Sequence, residues 1–421
     1  MSFPDDIDEP LDEWVVKQRW FASKSREVAA LNVLERVELS GAPKLSLELV
    51  EARFHSGMHE LYQVLPGEPE AGRVLAGLLG SETVIDGVAF HGAVTPAGDM
   101  RPMGAEQSNS SFVFGDELVL KVFRRLEPGV NPELEMLRFL SARDFPNTAS
   151  LAGWYEYGGD LMHATLGILQ EYIGEARDGW ELAMDDPQGL LTRVAELGTA
   201  TGEMHSVLGS DEADPAFHPE EPSAEALSLL TATIDEQIEQ AFVELRDDND
   251  ALDPIRGRGE EIRERLQAMS HVGVGGRLIR HHGDYHLGQT LLTDERWIIL
   301  DFEGEPARSL RERRRKRSPL RDVAGMLRSF AYAASASQLL RGVPAPEGWE
   351  EQARSDFLEA YLAAVDPTLL PAGRPATEKL LAIFELEKAV YELRYELNNR
   401  PDWVPIPVAG IARLLEADIT S

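Results

Sequence analysis

The sequence predicts an α+β protein with a strand-rich N-terminal part and a mainly helical C-terminal part. Up to about residue 172, apolar residues alternate in short runs that are separated by Gly and Pro. Beyond Asp178 they recur mostly at helical spacing, except in one compact island over residues 278–305. With 43% apolar and 27% charged residues, the chain has the composition of a globular protein with a sizeable core.

The first 97 residues are expected to form a small cap subdomain. A helix over 11–20 is followed by strands over 33–39, 45–54 and 61–65, with Gly and Pro turn signals between them. Residues 98–175 follow as an intermediate subdomain. It has strands over 111–114 and 118–123 and a helix over 132–141, which Asn131 can cap and Pro132 can begin.

Residues 176–421 are expected to form a helical lobe. Its predicted helices cover 190–208, 224–245, 260–269, 320–340, 349–365 and 377–397. No internal repeat or low-complexity segment interrupts this order.

Composition excludes several classes of function. The formal net charge of −32 disfavours a protein that binds nucleic acid or an anionic membrane by bulk charge. The absence of cysteine excludes disulfides, thiolate metal sites and cysteine nucleophiles. The start is acidic, unlike a signal peptide, and no apolar run approaches the ~18 residues of a membrane span. We therefore expect a soluble, cytoplasmic protein.

The island carries the residues that predict chemistry. A short strand leads into a loop with Asp284, a second strand delivers Asp301 to its end, and Gln289 lies between them. Two carboxylates at neighbouring strand ends with an amide between them suit phosphoryl transfer. One acid would meet a substrate hydroxyl, while the other acid and the amide would hold a divalent cation. Loop carboxylates that merely cap turns are the alternative.

A lysine that can neutralise phosphate lies upstream. Lys121 is in a predicted strand between apolar neighbours, so it needs a partner if it is buried. Glu135, one turn into the following helix, is the predicted partner. A strand lysine paired with a helix glutamate resembles the arrangement that positions ATP in protein-kinase-like folds. An ordinary solvated lysine is the alternative.

The motif His282-x-Asp284-x4-Gln289, followed by Asp301-Phe-Glu303, resembles the catalytic and metal motifs of the aminoglycoside phosphotransferase-like, protein-kinase-like fold. The sequence departs from the family at Gln289, where Asn is usual, and in Asp-Phe-Glu, where protein kinases have Asp-Phe-Gly. Nearly the whole chain is similar to the actinobacterial maltokinases. The segments that carry this similarity are Gln18-Arg-Trp-Phe-Ala-Ser-Lys, Gln107-Ser-Asn-Ser-Ser, the segment 119–132, Ile168-Leu-Gln-Glu-Tyr-Ile, Asp178-Gly-Trp, the two island motifs, Ser318-Pro-Leu-Arg-Asp-Val and Tyr395-Glu-Leu-Asn-Asn-Arg-Pro-Asp-Trp.

This resemblance implies a bilobal kinase with an N-terminal cap subdomain, an intermediate subdomain that completes the nucleotide lobe, and a helical C-lobe. The implied reaction converts ATP and maltose into ADP and maltose 1-phosphate, which feeds α-glucan (glycogen) synthesis. Asp284 would be the catalytic base, and Gln289 and Asp301 would hold Mg²⁺, with Glu303 as a further candidate ligand. Lys121 and Glu135 would anchor the phosphates of ATP.

Further nucleotide contacts follow from the same resemblance. The turn at Ser108, Asn109 and Ser110 would lie over the phosphates, although Ser/Asn clusters are often ordinary turns. Gln170, Glu171 and Ile173 would belong to the hinge whose backbone meets adenine. The chain lacks the G-x4-G-K-[S/T] pattern, which disfavours a Walker-type NTPase.

Two histidines flank Asp284. The i, i+4 spacing of His282 and His286 would suit a metal only on a helix, and Gly283 and Gly288 make a helix unfavourable. His282 is therefore expected to orient the catalytic loop by hydrogen bonds. His286 is left open between loop packing and a substrate contact.

Residue types that bind sugars concentrate at the end of the last long predicted helix. Aromatic side chains stack on sugar faces, and carboxylates and amides bind hydroxyls. The alternative is that the aromatic residues are core anchors. The candidates for the acceptor site are Tyr391, Tyr395, Glu396 and Asn398, with Glu392, Asn399 and Trp403 nearby.

The segment 311–321 holds seven basic residues and one acidic residue. We expect it to be solvated or paired within the chain, with Arg317 and Arg321 as candidates to meet acids at the site.

Two other functions stay open. One is a glucosamine kinase on the same fold, in which Glu396 or Asp402 would receive the ammonium group. The other is a non-catalytic pseudokinase module, which the intact set of Lys121, Asp284, Gln289 and Asp301 disfavours. The segment 395–403 favours maltose, and the chain is expected to be a monomer or a homodimer.

Overall fold

The computed structural model describes residues 5, 7, 9–104, 108–244, 249–269, 275–306 and 308–416. Gln107 and the predicted helix end at Leu245 lie outside the described residues. The chain divides into two compact units, the first comprising Met1–Asp144 with Thr148–Glu175 and the second Phe145–Asn147 with Ala176–Ser421.

A four-stranded antiparallel sheet in the order β1-β2-β3-β9 opens the first unit. The predicted helix ends earlier than expected, at Lys17, because Trp20 and Phe21 leave the helix and enter the core beside Tyr62. The three strands predicted for this region are confirmed, and β1 is longer than predicted. The elements are α1 (Leu11–Lys17), β1 (Val28–Gly41), β2 (Lys44–Phe54), β3 (His59–Val64) and β9 (Arg125–Leu126).

A seven-stranded antiparallel sheet in the order β4-β5-β10-β11-β8-β7-β6 forms the rest of the first unit. It joins strands from both sides of residue 97, so the cap and the intermediate segment share one sheet, and their division there stays a prediction. The elements are α2 (Ala71–Leu79), β4 (Glu82–Ile85), β5 (Val88–Gly92), β6 (Met100–Pro102), β7 (Ser110–Phe114), β8 (Leu118–Val122), β10 (Leu151–Gly158) and β11 (His163–Glu171).

Helix α3 (Pro132–Ser141) begins as the sequence predicts. The Asn131 side-chain oxygen accepts a hydrogen bond of 2.8 Å from the backbone N–H of Glu133, and Pro132 occupies the first turn. Both features satisfy or remove backbone donors that the first turn of a helix leaves unpaired.

The second unit is helical around a small three-stranded sheet in the order β12-β13-β14. All the helices predicted here are found, although the first is split at 191–194. The elements are β12 (Arg177–Asp178), α4 (Gly179–Asp185), α5 (Pro187–Leu191), α6 (Val194–Leu208), α7 (Ala224–Glu244), α8 (Gly259–Met269), β13 (Thr290–Leu292), β14 (Trp297–Ile299), α9 (Leu310–Arg313), α10 (Leu320–Arg341), α11 (Trp349–Ala364), α12 (Arg374–Asn399) and α13 (Pro405–Glu416).

Close helix packing in this unit depends on small residues of α6. A Cβ atom added at Gly198 would lie 2.3 Å from the carbonyl oxygen of Phe357, so only glycine lets α11 approach this closely. The packing places His205 of α6 against α10 and α11, where it is fully buried. Within the described residues, no helix combines the length and the apolarity that a membrane span requires.

A buried ion pair stabilises the first unit. Arg124, which is fully buried, donates to both carboxylate oxygens of Asp5, at 2.6 and 2.9 Å, and to the Ser110 hydroxyl at 2.8 Å. The neighbouring Arg125 is half-exposed and lies 3.5 Å from Glu60.

We expect Arg124→Met to lower the free energy of unfolding by about 3–5 kcal/mol, because it leaves the buried Asp5 carboxylate unpaired. The matched variant Arg125→Met removes an exposed cation and should cost about 0–1 kcal/mol. Urea unfolding of both variants measures the difference. Equal losses in the two variants would contradict the structural role of the Asp5–Arg124 pair.

Candidate active site

One buried carboxylate holds the loop that carries Asp284. Asp322, at the start of α10, is 2% exposed and accepts hydrogen bonds from the backbone N–H groups of His282 (2.7 Å) and Gly283 (2.9 Å). His205 donates to it from Nε2 at 3.1 Å. Burial alone would raise the pKa of Asp322, but the neighbouring His281 and His205 outweigh burial and hold that pKa well below its usual range. The loop is therefore anchored on a permanent anion.

His282 connects this loop to the next strand. Its Nδ1 accepts from the backbone N–H of Asp284 at 3.3 Å, so its Nε2 carries the proton and donates to the carbonyl oxygen of Leu300 at 2.7 Å. The ring is 1% exposed and packs against Phe302 at 5.0 Å. These contacts are the ones that the predicted orienting role of His282 requires.

Asp284 faces a lysine that the sequence reasoning missed. Nζ of Lys388, on α12, lies 3.9 Å from Oδ1 of Asp284 and 3.6 Å from Oε1 of Glu305. Burial alone would lower the pKa of Lys388, but these two carboxylates outweigh burial and raise it above its ordinary value. Lys388 therefore stays charged beside Asp284.

Gln289 and Asp301 come together as predicted. The Gln289 amide nitrogen donates to Oδ2 of Asp301 at 3.2 Å, so its oxygen is the atom that can meet a cation. Carboxylate oxygens of Asp301 and Glu303 lie within 4.8 Å of each other. Asp301 has a φ of 60°, a left-handed conformation that non-glycine residues adopt mainly at functional or turn positions. Carboxylate and amide oxygens are the ligands that Mg²⁺ prefers, so the residues present fit this ion.

In the first unit, Lys121 pairs with a glutamate of α3. Its Nζ lies 2.8 Å from Oε2 of Glu133, and the Glu133 side chain is 2% exposed. The predicted partner, Glu135, lies two residues further along the same helix and is partly buried. A glutamate of α3 therefore holds the strand lysine, and the assignment of Glu135 to the phosphate site stays a prediction.

The serine-rich turn and the hinge lie at strand ends of the same unit. Asn109 and Ser110 are buried, and the Ser110 hydroxyl accepts from Arg124, so this hydroxyl takes part in the core network. Ser108 is exposed. Gln170 and Glu171 end β11, Ile173 follows in the connecting segment, and the second unit begins two residues after Gly174. The adenine contacts assigned to these three residues stay predictions.

A cavity of about 470 Å³ opens beside Asp284 and has an aromatic lining. Tyr391 and Tyr395, at 52% and 46% exposed, line it rather than anchor the core. His286 lines it too, and burial lowers the pKa of this histidine. The cavity volume falls in the range of about 300–1,000 Å³ typical of small-molecule sites. The other side chains that line it include Trp180, Tyr285, Tyr332, Lys388, Glu392, Glu396, Arg400 and Trp403.

Some predicted acceptor residues lie elsewhere. Asn398 and Asn399 are exposed, and each side-chain amide donates to a carbonyl oxygen one turn earlier in α12, at 2.7 and 2.8 Å. Neither residue is part of the cavity lining, and the assignment of Asn398 to the acceptor site stays a prediction. Asp402, the alternative ammonium partner, is also exposed and outside the lining.

The basic segment is paired within the chain, as predicted. Lys316 donates to Oε1 of Glu220 at 2.8 Å, and Arg321 forms an ion pair of 2.9 Å with Glu387. Arg313 donates to the carbonyl oxygen of Glu303 at 3.2 Å.

Several functional residues escaped the sequence reasoning because their partners are distant in the chain. Asp322 lies 40 residues after His282, and Lys388 lies more than 100 residues after Asp284. A signal was present for Asp322, which is an acid in an otherwise apolar helix face. No comparable signal marks Lys388.

The match to a family model fits this geometry. The model of the phosphotransferase enzyme family matches residues 99–357, more than half of the chain, and the chain therefore belongs to this family. A second model, the maltokinase N-terminal cap domain, matches residues 14–89. The resemblance stated from the sequence is thereby confirmed.

Similar proteins include two glucosamine kinases. The one from Streptacidiphilus jiangxiensis is 27% identical over 372 residues, which cover 83% of this chain and 82% of that protein. The one from Mycolicibacterium smegmatis is 27% identical over 340 residues, which cover 75% and 79%. A solved glucosamine kinase in complex with glucosamine, ADP and inorganic phosphate matches with a TM-score of 0.73 at 20% identity and covers 97% of this chain and all of that one (100%). This structural match confirms the predicted fold, and the family confirms the predicted enzyme class, a phosphotransferase with an alcohol group as acceptor.

We expect Asp322→Asn to lower kcat by about 10²-fold while the affinity for nucleotide changes little, because a small displacement of the Asp284 loop is costly for catalysis. An asparagine has only one side-chain oxygen for the three groups that donate to Asp322, which are His205 and the backbone N–H groups of His282 and Gly283. Its amide nitrogen is itself a donor and would face one of them. Steady-state kinetics with varied nucleotide measure the split between kcat and KM.

The control for this variant is Asp366→Asn, which alters a partly solvated turn cap far along the chain. Wild-type kcat in a folded Asp322→Asn protein would refute the positioning role.

Proposed function

We propose that the protein is an ATP-dependent sugar kinase whose preferred acceptor is a neutral disaccharide, maltose, phosphorylated to maltose 1-phosphate. Family membership and the maltokinase cap match support the kinase class. The pairing of the carboxylates in the acceptor cavity supports a neutral sugar. The product would be an activated sugar for α-glucan synthesis.

In this proposal Asp284 is the catalytic base. Its carboxylate lines the acceptor cavity and is held by a loop whose backbone donates to Asp322. It would accept the proton of the acceptor hydroxyl as that oxygen forms a bond to the γ-phosphorus of ATP. The bond between the γ-phosphorus and the bridging oxygen breaks, and ADP leaves with that oxygen.

The nucleotide half of the site rests on three groups of residues. Lys121, held by Glu133, would neutralise phosphate charge, and the hinge at Gln170, Glu171 and Ile173 would meet adenine. Gln289 and Asp301, with Glu303 nearby, would hold Mg²⁺, which supplies charge neutralisation to the phosphates when bound. In this scheme residues 98–175 complete the nucleotide lobe below the cap.

The acceptor cavity offers aromatic faces and neutralised carboxylates. Arg400 donates two hydrogen bonds to the Glu396 carboxylate, at 2.6 and 2.8 Å, and the Tyr332 hydroxyl donates a third at 3.1 Å. Oε2 of Glu392 accepts from Arg328 at 2.7 and 2.9 Å.

An ammonium group would have to compete with a guanidinium for either carboxylate, and it would face the charged Lys388 as well. Hydroxyl groups carry no such penalty, since they can accept from Arg400 and Lys388 and donate to the carboxylates. A neutral sugar is therefore the better fit to this lining.

Glucosamine is the second candidate acceptor, because the two relatives that cover most of the chain are glucosamine kinases. The side chain of Arg400 is 45% exposed, so movement of this residue would free Glu396 for an ammonium group.

We expect Asp284→Asn to reduce kcat by about 10²–10⁴-fold, because the amide cannot accept the hydroxyl proton. Nucleotide affinity, measured by titration with a non-hydrolysable ATP analogue, should stay close to that of the wild type. Asp294→Asn, in the exposed turn between β13 and β14, is the control and should retain full activity. Near wild-type turnover in Asp284→Asn would contradict the assignment of Asp284 as the catalytic base.

The acceptor is tested by ADP release with ATP, Mg²⁺ and a panel of maltose, glucose, glucosamine and an aminoglycoside. We expect kcat/KM to be highest for maltose. Arg400→Gln frees Glu396 and should shift the ratio of kcat/KM toward glucosamine by about tenfold, the effect of one charge-assisted hydrogen bond.

Arg394→Gln, in α12 and outside the cavity lining, should leave the ratio unchanged. A wild-type preference for glucosamine would overturn the choice of maltose. No turnover with any sugar would overturn the proposed acceptor class.

A further inference from the structure

Asp284 also lines a second, smaller cavity of about 100 Å³, which no step of the proposed reaction uses. Its walls come from the catalytic loop, the basic segment and α12. The lining is unusually rich in charge, with five basic residues and five carboxylates. These are Arg308, Arg313, Arg317, Arg321 and Lys388, and Asp284, Glu305, Glu312, Glu387 and Asp322.

Most of these carboxylates already have partners. Glu387 accepts from both terminal nitrogens of Arg321, at 2.9 and 3.3 Å, and Glu305 accepts from Arg308. Glu312 caps α9 by accepting from the backbone N–H of Ser309 at 3.1 Å and from its hydroxyl at 2.8 Å. Asp322 binds the catalytic loop as described above.

Arg317 departs from this pattern. Its backbone is fixed by two hydrogen bonds of 2.9 Å to Ile279, and its side chain is half-buried in the cavity wall. Across the described ranges, no carboxylate lies within ion-pair distance of its guanidinium. Burial and the nearby charges of Arg321 and Arg308 lower the pKa of Arg317 to about 10, so it is still a cation at neutral pH. A half-buried cation without an ion-pair partner is stabilised by a bound anion.

The cavity is small and has room for a small anion. Its volume of about 100 Å³ is enough for an oxyanion such as phosphate. Guanidinium groups bind phosphate oxygens through paired N–H donors, and Arg308 and Arg321 lie beside Arg317, each already paired with a carboxylate.

We propose that this cavity is a binding site for a phosphate group, held by Arg317 with Arg308 and Arg321 beside it. The phosphate could come from free inorganic phosphate or from a sugar phosphate, because the two cavities share Asp284, Tyr285, Gly325, Lys388 and Tyr391. A phosphate group bound here would lie next to Asp284 and Lys388. Binding of product phosphate at this site would therefore change the charge around the proposed catalytic base.

The test is calorimetric titration of the full chain with inorganic phosphate, without nucleotide or acceptor, so that its outcome is independent of the proposed acceptor. We expect saturable binding by the wild type and a Kd at least about tenfold weaker in Arg317→Gln, the effect of losing one charge-assisted contact. Arg315→Gln, exposed and outside the lining, should bind like the wild type. Lys121→Met should also retain binding, which separates this site from the nucleotide phosphates.

Several outcomes would overturn the proposal. These are no binding by the wild type, equal affinity in Arg317→Gln, or loss of binding in Lys121→Met. If Arg317→Gln does not fold, Arg317→Lys, which keeps the charge and loses the paired donors, should weaken binding by a smaller factor; unchanged affinity in that variant would count against the site. A sugar phosphate that binds more tightly than inorganic phosphate, and loses that advantage in Arg317→Gln, identifies the product as the source, whereas equal affinities identify free phosphate.

Discussion

The arrangement of the active site depends on the buried carboxylate of Asp322. Its oxygens accept from two consecutive backbone N–H groups of the catalytic loop, and one of them also accepts from His205. The His282 ring extends this network. It accepts a hydrogen bond from the backbone N–H of Asp284 and donates one to the carbonyl oxygen of Leu300. The backbone N–H of Leu300 in turn donates to the carbonyl of Gln289 at 2.9 Å. One network of hydrogen bonds therefore connects the backbone of Asp284 with that of Gln289 and of Leu300, which directly precedes Asp301. The buried anion tolerates its position because it accepts three hydrogen bonds.

The features that could be predicted from the sequence are those set by residues close together in the chain. Helix α3 and its Asn131 cap were predictable to the residue, because a cap and a proline act on the backbone of the same turn. The spacing of the three island residues predicted that they act together; the structure brings Gln289 and Asp301 into contact, and the roles of the three residues stay predictions. The contact of Lys121 with Glu133 was not predicted, because the rotation of α3 about its axis is fixed by tertiary packing that no local pattern reports. Lys388 was missed for the same reason, since only the packing of α12 brings it to Asp284.

The acceptor cavity shows how burial separates residues of similar type. Tyr391 and Tyr395 leave about half of their surfaces open, whereas Glu396 is 1% exposed and needs the two donors of Arg400 and the hydroxyl of Tyr332. The side-chain amides of Asn398 and Asn399 donate to carbonyl oxygens of their own helix, as exposed polar side chains often do. Composition alone could list sugar-binding residue types, but only their hydrogen bonds distinguish the side chains that can meet a ligand.

In this strongly acidic chain, individual cations that could bind an anionic ligand are held in place by carboxylates. A net charge of −32 repels a nucleotide at long range, so attraction must come from short-range contacts in sites of low dielectric constant, where screening by salt is weak. Lys121 against Glu133, Arg321 against Glu387 and Arg400 against Glu396 each pair a cation with a carboxylate that limits its motion. Pairing orients the cation but also cancels much of its charge, so paired cations select by geometry. Arg317 has an anchored backbone and, within the described ranges, no such partner, and its charge is therefore stabilised by an anionic ligand.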